Sequence, residues 1–343
     1  MKRSKKNTSF EKCVPLEFVR KMASYLPLGW SIFDEVRTPE NKGKIWDEKC
    51  YISSKGICEA VLQKCDEMYW EEIIDNLQEH SMDKKLAIAA SWRIHKQIYE
   101  FDPDMERLLR SQADCDLKLP VDVLLNLPYP CIYFETQTMD MDGFFVFYEI
   151  YNDNLPRLDF LTVGGDFSYA ISILLDPMET INGFYKVLDK RMRKQLHMSD
   201  EEITKSRQST SEMLQLVLYV CAQNSEREED QEQKKIMRQP KDRSCIKDNY
   251  REVQKWIYGE KTGNIIREMK RLANVRYIFN KENSGTGTPK RPHSRRGHWH
   301  YYWVGKRGTA GRKRVLRWLA PMFIHADFQS EMATINVVAS EVA

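Results

Sequence analysis

Apolar positions recur at helix spacing through the first third of the chain. Leu16, Val19, Met22 and Leu26 mark one such face, with Pro15 placed for a first helical turn and Gly29 ending the element. A looser polar stretch runs from Asp34 to Ser54. Ile57, Val61, Cys65 and Met68/Tyr69 mark a second helix. Leu86, Ala90, Ile94 and Ile98 mark a third, whose extent Pro103 limits. His80 and His95 belong to these helices and read as structural or exposed residues.

The middle third changes period. Leu119 to Thr136 (LPVDVLLNLPYPCIYFET) holds a short apolar segment, prolines that break it, and the strand-like CIYFE. GFFVFYEIY (Gly143 to Tyr151), RLDFLTV (Arg157 to Val163) and YAISILL (Tyr169 to Leu175) are β-branched and aromatic. Turn residues separate them, which predicts an antiparallel meander rather than βαβ crossovers. Gly164-Gly165-Asp166 is not a phosphate loop, because no Lys-Ser/Thr follows and no helix opens there. A mixed helix is expected near Glu179 to Met198. Ser209 to Glu212 reads as a capping box ahead of MLQLVLYVCA, which is apolar nearly all round and belongs in the interior. Ser225 to Arg243 is charged, poor in apolar residues and reads as a linker. Tyr250 to Leu272 reads as an amphipathic helix or helix pair that Gly263 divides, and Asn283 to Thr288 as a connector.

The C-terminal stretch alters the picture through charge. Between Ser284 and Ala326 there is no Asp or Glu, yet the window holds ten Lys/Arg, four histidines and three tryptophans. The whole chain has 53 basic and 50 acidic residues; without those ten, 43 basic face the same 50 acidic. A mildly acidic body therefore carries one basic, aromatic element, a segregation that points to a polyanionic partner. HWHYYW should be extended, with Trp299, Tyr301 and Trp303 on one face and His298, His300 and Tyr302 on the other. Gly305, Gly308 and Gly311 form a loop, and KRVLRWL returns as the second arm of a hairpin. Pro321 breaks that arm, and MFI adds a short third segment.

Four readings of this element compete. Cations on phosphates with rings stacked on bases make a nucleic-acid surface, whose candidates are Arg291, His293, Arg295, Arg296, His298, Trp299, His300, Tyr302, Arg312, Arg314 and Arg317. His298 and His300 with His293 are the one candidate metal cluster, but no carboxylate lies within the stretch, so no metal and no cofactor is assigned. His298 or His300 with an arginine is a constellation for acid/base RNA cleavage. The remaining reading makes Trp299, Trp303 and Trp318 core residues and the arginines solvated. Core is favoured for the tryptophans taken singly, and a polyanion contact for the arginine cluster as a whole.

Composition bounds the rest. A chain of 343 residues, 42% hydrophobic and 11% aromatic, is globular and long enough for two or three compact units. No apolar run approaches the roughly 20 residues a membrane span needs, and MKRSKKNTSFEK has no apolar core of a secretory signal. The eight cysteines include no C-x-x-C pair. A reduced, cytoplasmic protein without a membrane partner is expected. The expected fold class is α+β: a helical N-terminal part, a central antiparallel sheet with packed helices, and a C-terminal basic aromatic β-hairpin. Residues 1–112 form the helical region, 113–224 the α+β core, 225–248 a charged linker, and 249–343 a helix plus the hairpin. Oligomeric state is left open.

RPHSRRGHWHYYWVG followed by RVLRWLAPMFI resembles the C-terminal signature of the type V-A anti-CRISPR family, whose members lower production of the RNA-guided type V-A effector nuclease. The signature falls on Arg291, Pro292, His293, Arg295, Arg296, Gly297, His298, Trp299, Tyr302, Trp303, Gly305, Arg314 or Arg317, Trp318 and Pro321. LLNLPYPCIYFE is similar to a second family block, at Leu125, Asn126, Leu127, Pro128, Cys131 and Tyr133. The glycine loop KRGTAGRK is longer here, and His325 stands where relatives place Asn. The resemblance implies a translation-coupled repressor that recognises the nascent N-terminal peptide of the effector nuclease and triggers loss of its mRNA, read first as a non-enzymatic adaptor. Its second partner would be RNA or the ribosome. By position, Asn126, Tyr129, Tyr133 and Phe145 are the peptide-binding candidates. An RNase using His298 and His300, an RNA-binding protein acting on the message, and a direct inhibitor of the assembled nuclease are the alternatives.

Overall fold

A computed structural model describes residues 13–64, 75, 77, 81–113, 117–150, 155–163, 170–176, 178–195, 197–229, 253–282, 293–295, 297–309 and 312–324. The strands of the central sheet are β1 (Gln97–Phe101), β2 (Cys131–Glu135), β3 (Gly143–Ile150), β4 (Pro156–Val163), β5 (Ala170–Leu174), β6 (Arg227–Glu229) and β7 (Gln254–Tyr258). They form one seven-stranded sheet in the order β5-β4-β3-β2-β1-β7-β6. β2 to β5 make the antiparallel meander that the turn residues predict. The sheet as a whole is mixed, because β1 lies parallel to both β2 and β7.

Period-two alternation divides strands β1 to β4 between two cores. Ile132, Phe134, Phe144, Val146, Leu158 and Phe160 point to one face. There they meet helix α5 (Pro103–Ser111), the 3-10 turn Val121–Asn126 and helix α7 (Asp200–Cys221). Cys131, Tyr133, Phe145, Phe147 and Leu161 point to the other face. Helices α1 (Val14–Tyr25), α2 (Gly29–Glu35), α3 (Ser54–Leu62) and α4 (Met82–His95) cover it. Helices α6 (Ile181–Gln195) and α8 (Glu260–Glu282) complete the described set. The α+β class holds.

Several boundaries differ from the pattern. The third predicted helix ends at His95 rather than reaching Ile98. Lys96 turns the chain through the left-handed region (φ 47°), and Gln97–Phe101 becomes β1. Gln97 is buried and holds this change of direction: its carbonyl accepts from Trp92 Nε1 at 2.9 Å and its side-chain oxygen from Trp256 Nε1 at 2.9 Å. Tyr250 to Leu272 is not wholly helical, since Gln254–Tyr258 pairs as β7 and Gly259 (φ 72°), not Gly263, makes the turn into α8. Gly263 lies inside α8, where a Cβ would come within 1.9 Å of Asp102 Oδ1. The capping box of α7 is Ser199 with Glu202, not Ser209 with Glu212. Gly29 opens α2 rather than ending α1, which stops at Tyr25. Cys65, Met68, Tyr69, His80, the Gly164-Gly165 turn, Asn283 to Thr288 and most of the charged linker lie outside the described residues.

Candidate nucleic-acid interface

The basic stretch forms β9 (His298–Val304) paired with β10 (Lys313–Leu319), while β8 (His293–Arg295) pairs with β11 (Met322–Ile324). Register puts Trp299 opposite Trp318, Tyr301 opposite Leu316, and Trp303 opposite Arg314. Trp299, Tyr301, Trp303, Leu316 and Trp318 share one face. On the other, His298 faces Leu319, His300 faces Arg317, and Tyr302 faces Val315.

The base of the hairpin is fixed to the body by apolar packing and directed hydrogen bonds. Leu316 and Trp318 are buried at 2% and 3% exposure. The Trp318 ring meets Tyr219 of α7 edge-on at 5.5 Å, and its Nε1 donates to Gln112 Oε1 at 3.1 Å. Trp299 Nε1 donates to the buried Gln215 Oε1 at 2.6 Å. Asn224 acts like a neighbouring strand: Nδ2 donates to Trp318 O at 2.8 Å, and Oδ1 accepts from Trp318 N at 3.0 Å. Gln223 N donates to Leu316 O at 2.9 Å. Burial raises the Tyr219 phenol above its ordinary range. Gly297 enters β9 where a Cβ would lie 2.8 Å from Gln112 Nε2 and 3.0 Å from Leu319 O.

Past this base the rings of the inner face are more exposed. Tyr301 is 39% exposed and Trp303 54%, whereas Trp299 is partly buried against the core. Tyr302 is 40% exposed on the outer face. His300 lies 4.4 Å from the Tyr302 ring centre and the Arg317 guanidinium 5.8 Å from it. The Arg312 guanidinium lies 4.6 Å over Trp303. Arg317 Nε donates to Gln223 Oε1 at 3.1 Å, a neutral partner. Among the described residues, no ion pair joins Lys306, Arg307, Arg312 or Arg317 to a carboxylate. Lys306 and Arg307 are exposed, and Arg312 and Arg317 are half-buried. His293 and Arg295 lie on β8 and Arg314 on β10, whereas Arg291 and Arg296 fall outside the described residues.

The peptide candidates separate. Asn126 is exposed and donates to Val123 O at 3.1 Å. Tyr129 is half-buried, 5.3 Å from the His95 ring, whose imidazole burial holds below its ordinary value. Tyr133 and Phe145 are fully buried, their tilted rings 5.0 Å apart, and Phe18 of α1 covers Phe145 at 4.9 Å. Only the first two of the four meet solvent. Sequence reasoning passed over Gln112, Gln215, Gln223 and Asn224. Lone amides carry no pattern; the one usable signal is that Gln215 interrupts an apolar run. Among the described residues, no group of three His, Cys, Asp or Glu is placed to hold a metal ion, and no helix is long and apolar enough to cross a membrane.

Together these features define an α+β protein with a mixed sheet, from which a cationic, ring-bearing hairpin projects. The family model of the AcrVA2-like proteins, the anti-CRISPR type V subtype A2 family, matches residues 99–326, and the chain belongs to that family. The match begins in β1 and runs through the sheet to the end of the hairpin. Among solved structures, the fold is similar to the crystal structure of AcrVA2, with a TM-score of 0.55, 16% identity, and coverage of 90% of this chain and 98% of that one. No curated protein matches the chain.

Proposed function

We propose that this type V-A anti-CRISPR protein recognises the N-terminal segment of the effector nuclease as it is synthesised and brings about loss of the encoding mRNA in the cytoplasm. Two surfaces divide the work. The hairpin contacts messenger or ribosomal RNA, and the body near Asn126 and Tyr129 selects the emerging peptide. The observation that carries the reading is the hairpin itself. Its base is held by Gln112, Gln215 and Asn224, and the described cations beyond that base have no carboxylate partner among the described residues. A cationic ribbon anchored at its base is suited to a phosphate-rich surface. A reporter fused behind the effector's N-terminal codons tests the proposal. Its mRNA should fall when the protein is present, and synonymous recoding of those codons should leave the effect intact. Repression with undiminished mRNA contradicts it, and a stable complex with the finished nuclease would favour direct inhibition.

A second reading is favoured by one local arrangement. His298 and His300 share the outer face with Arg317, which pairs with His300 across the ribbon. Two imidazoles and a guanidinium are the groups an RNA-cleaving site uses. Cleavage of labelled RNA by the purified protein, lost in His298→Ala and His300→Ala, would establish it.

A further inference from the structure

We propose that the tip and outer face of the hairpin hold unpaired RNA, with bases stacked on the exposed rings and phosphates held by the adjoining cations. This rests on the RNA-contact reading above and specifies the form of the ligand.

Rings are exposed on both sides of the ribbon near its tip: Tyr302 on the outer face, Tyr301 and Trp303 on the inner. Two of them have a guanidinium over the ring, Arg312 at 4.6 Å from the centre of Trp303 and Arg317 at 5.8 Å from that of Tyr302. Lys306 and Arg307 extend the positive charge into the exposed loop. A ring with a cation beside it offers a base a stacking surface and its phosphate a counter-charge at one place. Large exposed rings at the end of a ribbon gain by being covered. A stretch without a carboxylate from Ser284 to Ala326 selects a polyanion over an apolar peptide as the cover.

Duplex RNA fits this surface poorly. Its major groove is too deep and narrow for a ribbon, and its wide minor groove is recognised by shape and 2′-hydroxyls while the bases stay stacked. Protruding rings need unstacked bases. Duplex DNA is the sterner competitor, because a two-stranded ribbon fits its major groove.

Anisotropy of the full-length protein with labelled oligouridylate, an RNA duplex and a DNA duplex tests the proposal. The single strand should bind at least about tenfold more tightly than either duplex. Tyr302→Ala with Trp303→Ala should weaken single-strand binding by about tenfold or more and leave the salt slope unchanged, because stacking releases no counterions. Tyr302→Phe with Trp303→Phe, which keeps the rings, should restore it. Arg312→Ala with Arg317→Ala should instead flatten the slope by about 0.7 for each phosphate no longer neutralised. Equal affinity for single strand and RNA duplex, with the ring variant unaffected, overturns the stacking proposal and leaves the RNA-contact reading in place. Preference for duplex DNA overturns it too. Binding to none of the three overturns both.

Discussion

Asn224→Ala tests whether the hairpin is part of the folded body or an arm that merely leaves it. The Asn224 side chain makes two hydrogen bonds to the backbone of Trp318, at 2.8 and 3.0 Å, beneath a residue only 3% exposed. Alanine removes both, and because Asn224 is itself exposed, water can reach the Trp318 N–H and C=O that it leaves. A hydrogen bond that water can replace contributes about 0.5–1.5 kcal/mol net, so the pair comes to about 1–3 kcal/mol. Arg317→Ala on the outer face removes a packed stem and one bond to Gln223, and should stay within about 0.5 kcal/mol. Urea unfolding followed by circular dichroism measures both, read as midpoints at constant m. Hydrogen exchange then shows where the stability is missing: β10 amides should lose protection before those of β2 and β3. A parental midpoint for Asn224→Ala, with β10 exchanging at the parental rate, would show that the hairpin stands without this anchor.

Three further outcomes follow from the body. Burial and the nearby Asp159 carboxylate push the Glu149 carboxyl up to about 7, while Arg157 and Ser54 oppose the rise. Against its own burial, Lys84 and Arg157 hold Asp159 below its ordinary value. Between an unfolded value of 4.5 and about 7 the folded state thus holds the extra proton on Glu149, so this group makes stability fall as pH rises. Glu149→Gln should flatten that slope in urea midpoints measured across the window, and an unchanged slope counts against it. Gly263→Ala places a Cβ 1.9 Å from Asp102 Oδ1, the acceptor that caps α5 and pairs with Arg267. It should cost about 1–3 kcal/mol by thermal melting, and a parental Tm would contradict that. Glu106, fully buried, accepts from Gln137 N at 3.0 Å, Thr138 N at 3.1 Å and Thr138 Oγ1 at 2.7 Å. Glu106→Ala should cost about 3 kcal/mol in urea unfolding, and a change below about 0.5 kcal/mol would show that the turn holds without it.

The meander and the hairpin were legible because period two is local. Phe144, Val146, Leu158 and Phe160 alternate with their neighbours in the sequence as they do in space. β1 was not legible. Ile98 sits at helix spacing from Ile94, and only the left-handed turn at Lys96 and the parallel partners Tyr133 and Lys255 make it a strand. Trp256 and Ile257 misled in the same way, since a strand of five residues carries too little periodicity to oppose the helix that follows it. At the site, charge and rings were visible as composition. The split of the aromatic row, with Trp299 packed and Trp303 exposed, was not, because it depends on where α7 ends beneath the ribbon. Tyr133 and Phe145 show the opposite limit: a run of aromatic residues gives no sign of which ring a distant helix such as α1 will cover.

In the proposed function an open cationic ribbon meets RNA while the body chooses the target. Capture of the tagged protein from a lysate translating the effector, with and without RNase, separates that from its rivals, with Arg312→Ala plus Arg317→Ala as the comparison. Ribosomes or message should come down with the parent protein, disappear on RNase treatment, and be recovered poorly with the variant. Recovery of finished nuclease alone, equal for parent and variant and indifferent to RNase, would contradict it.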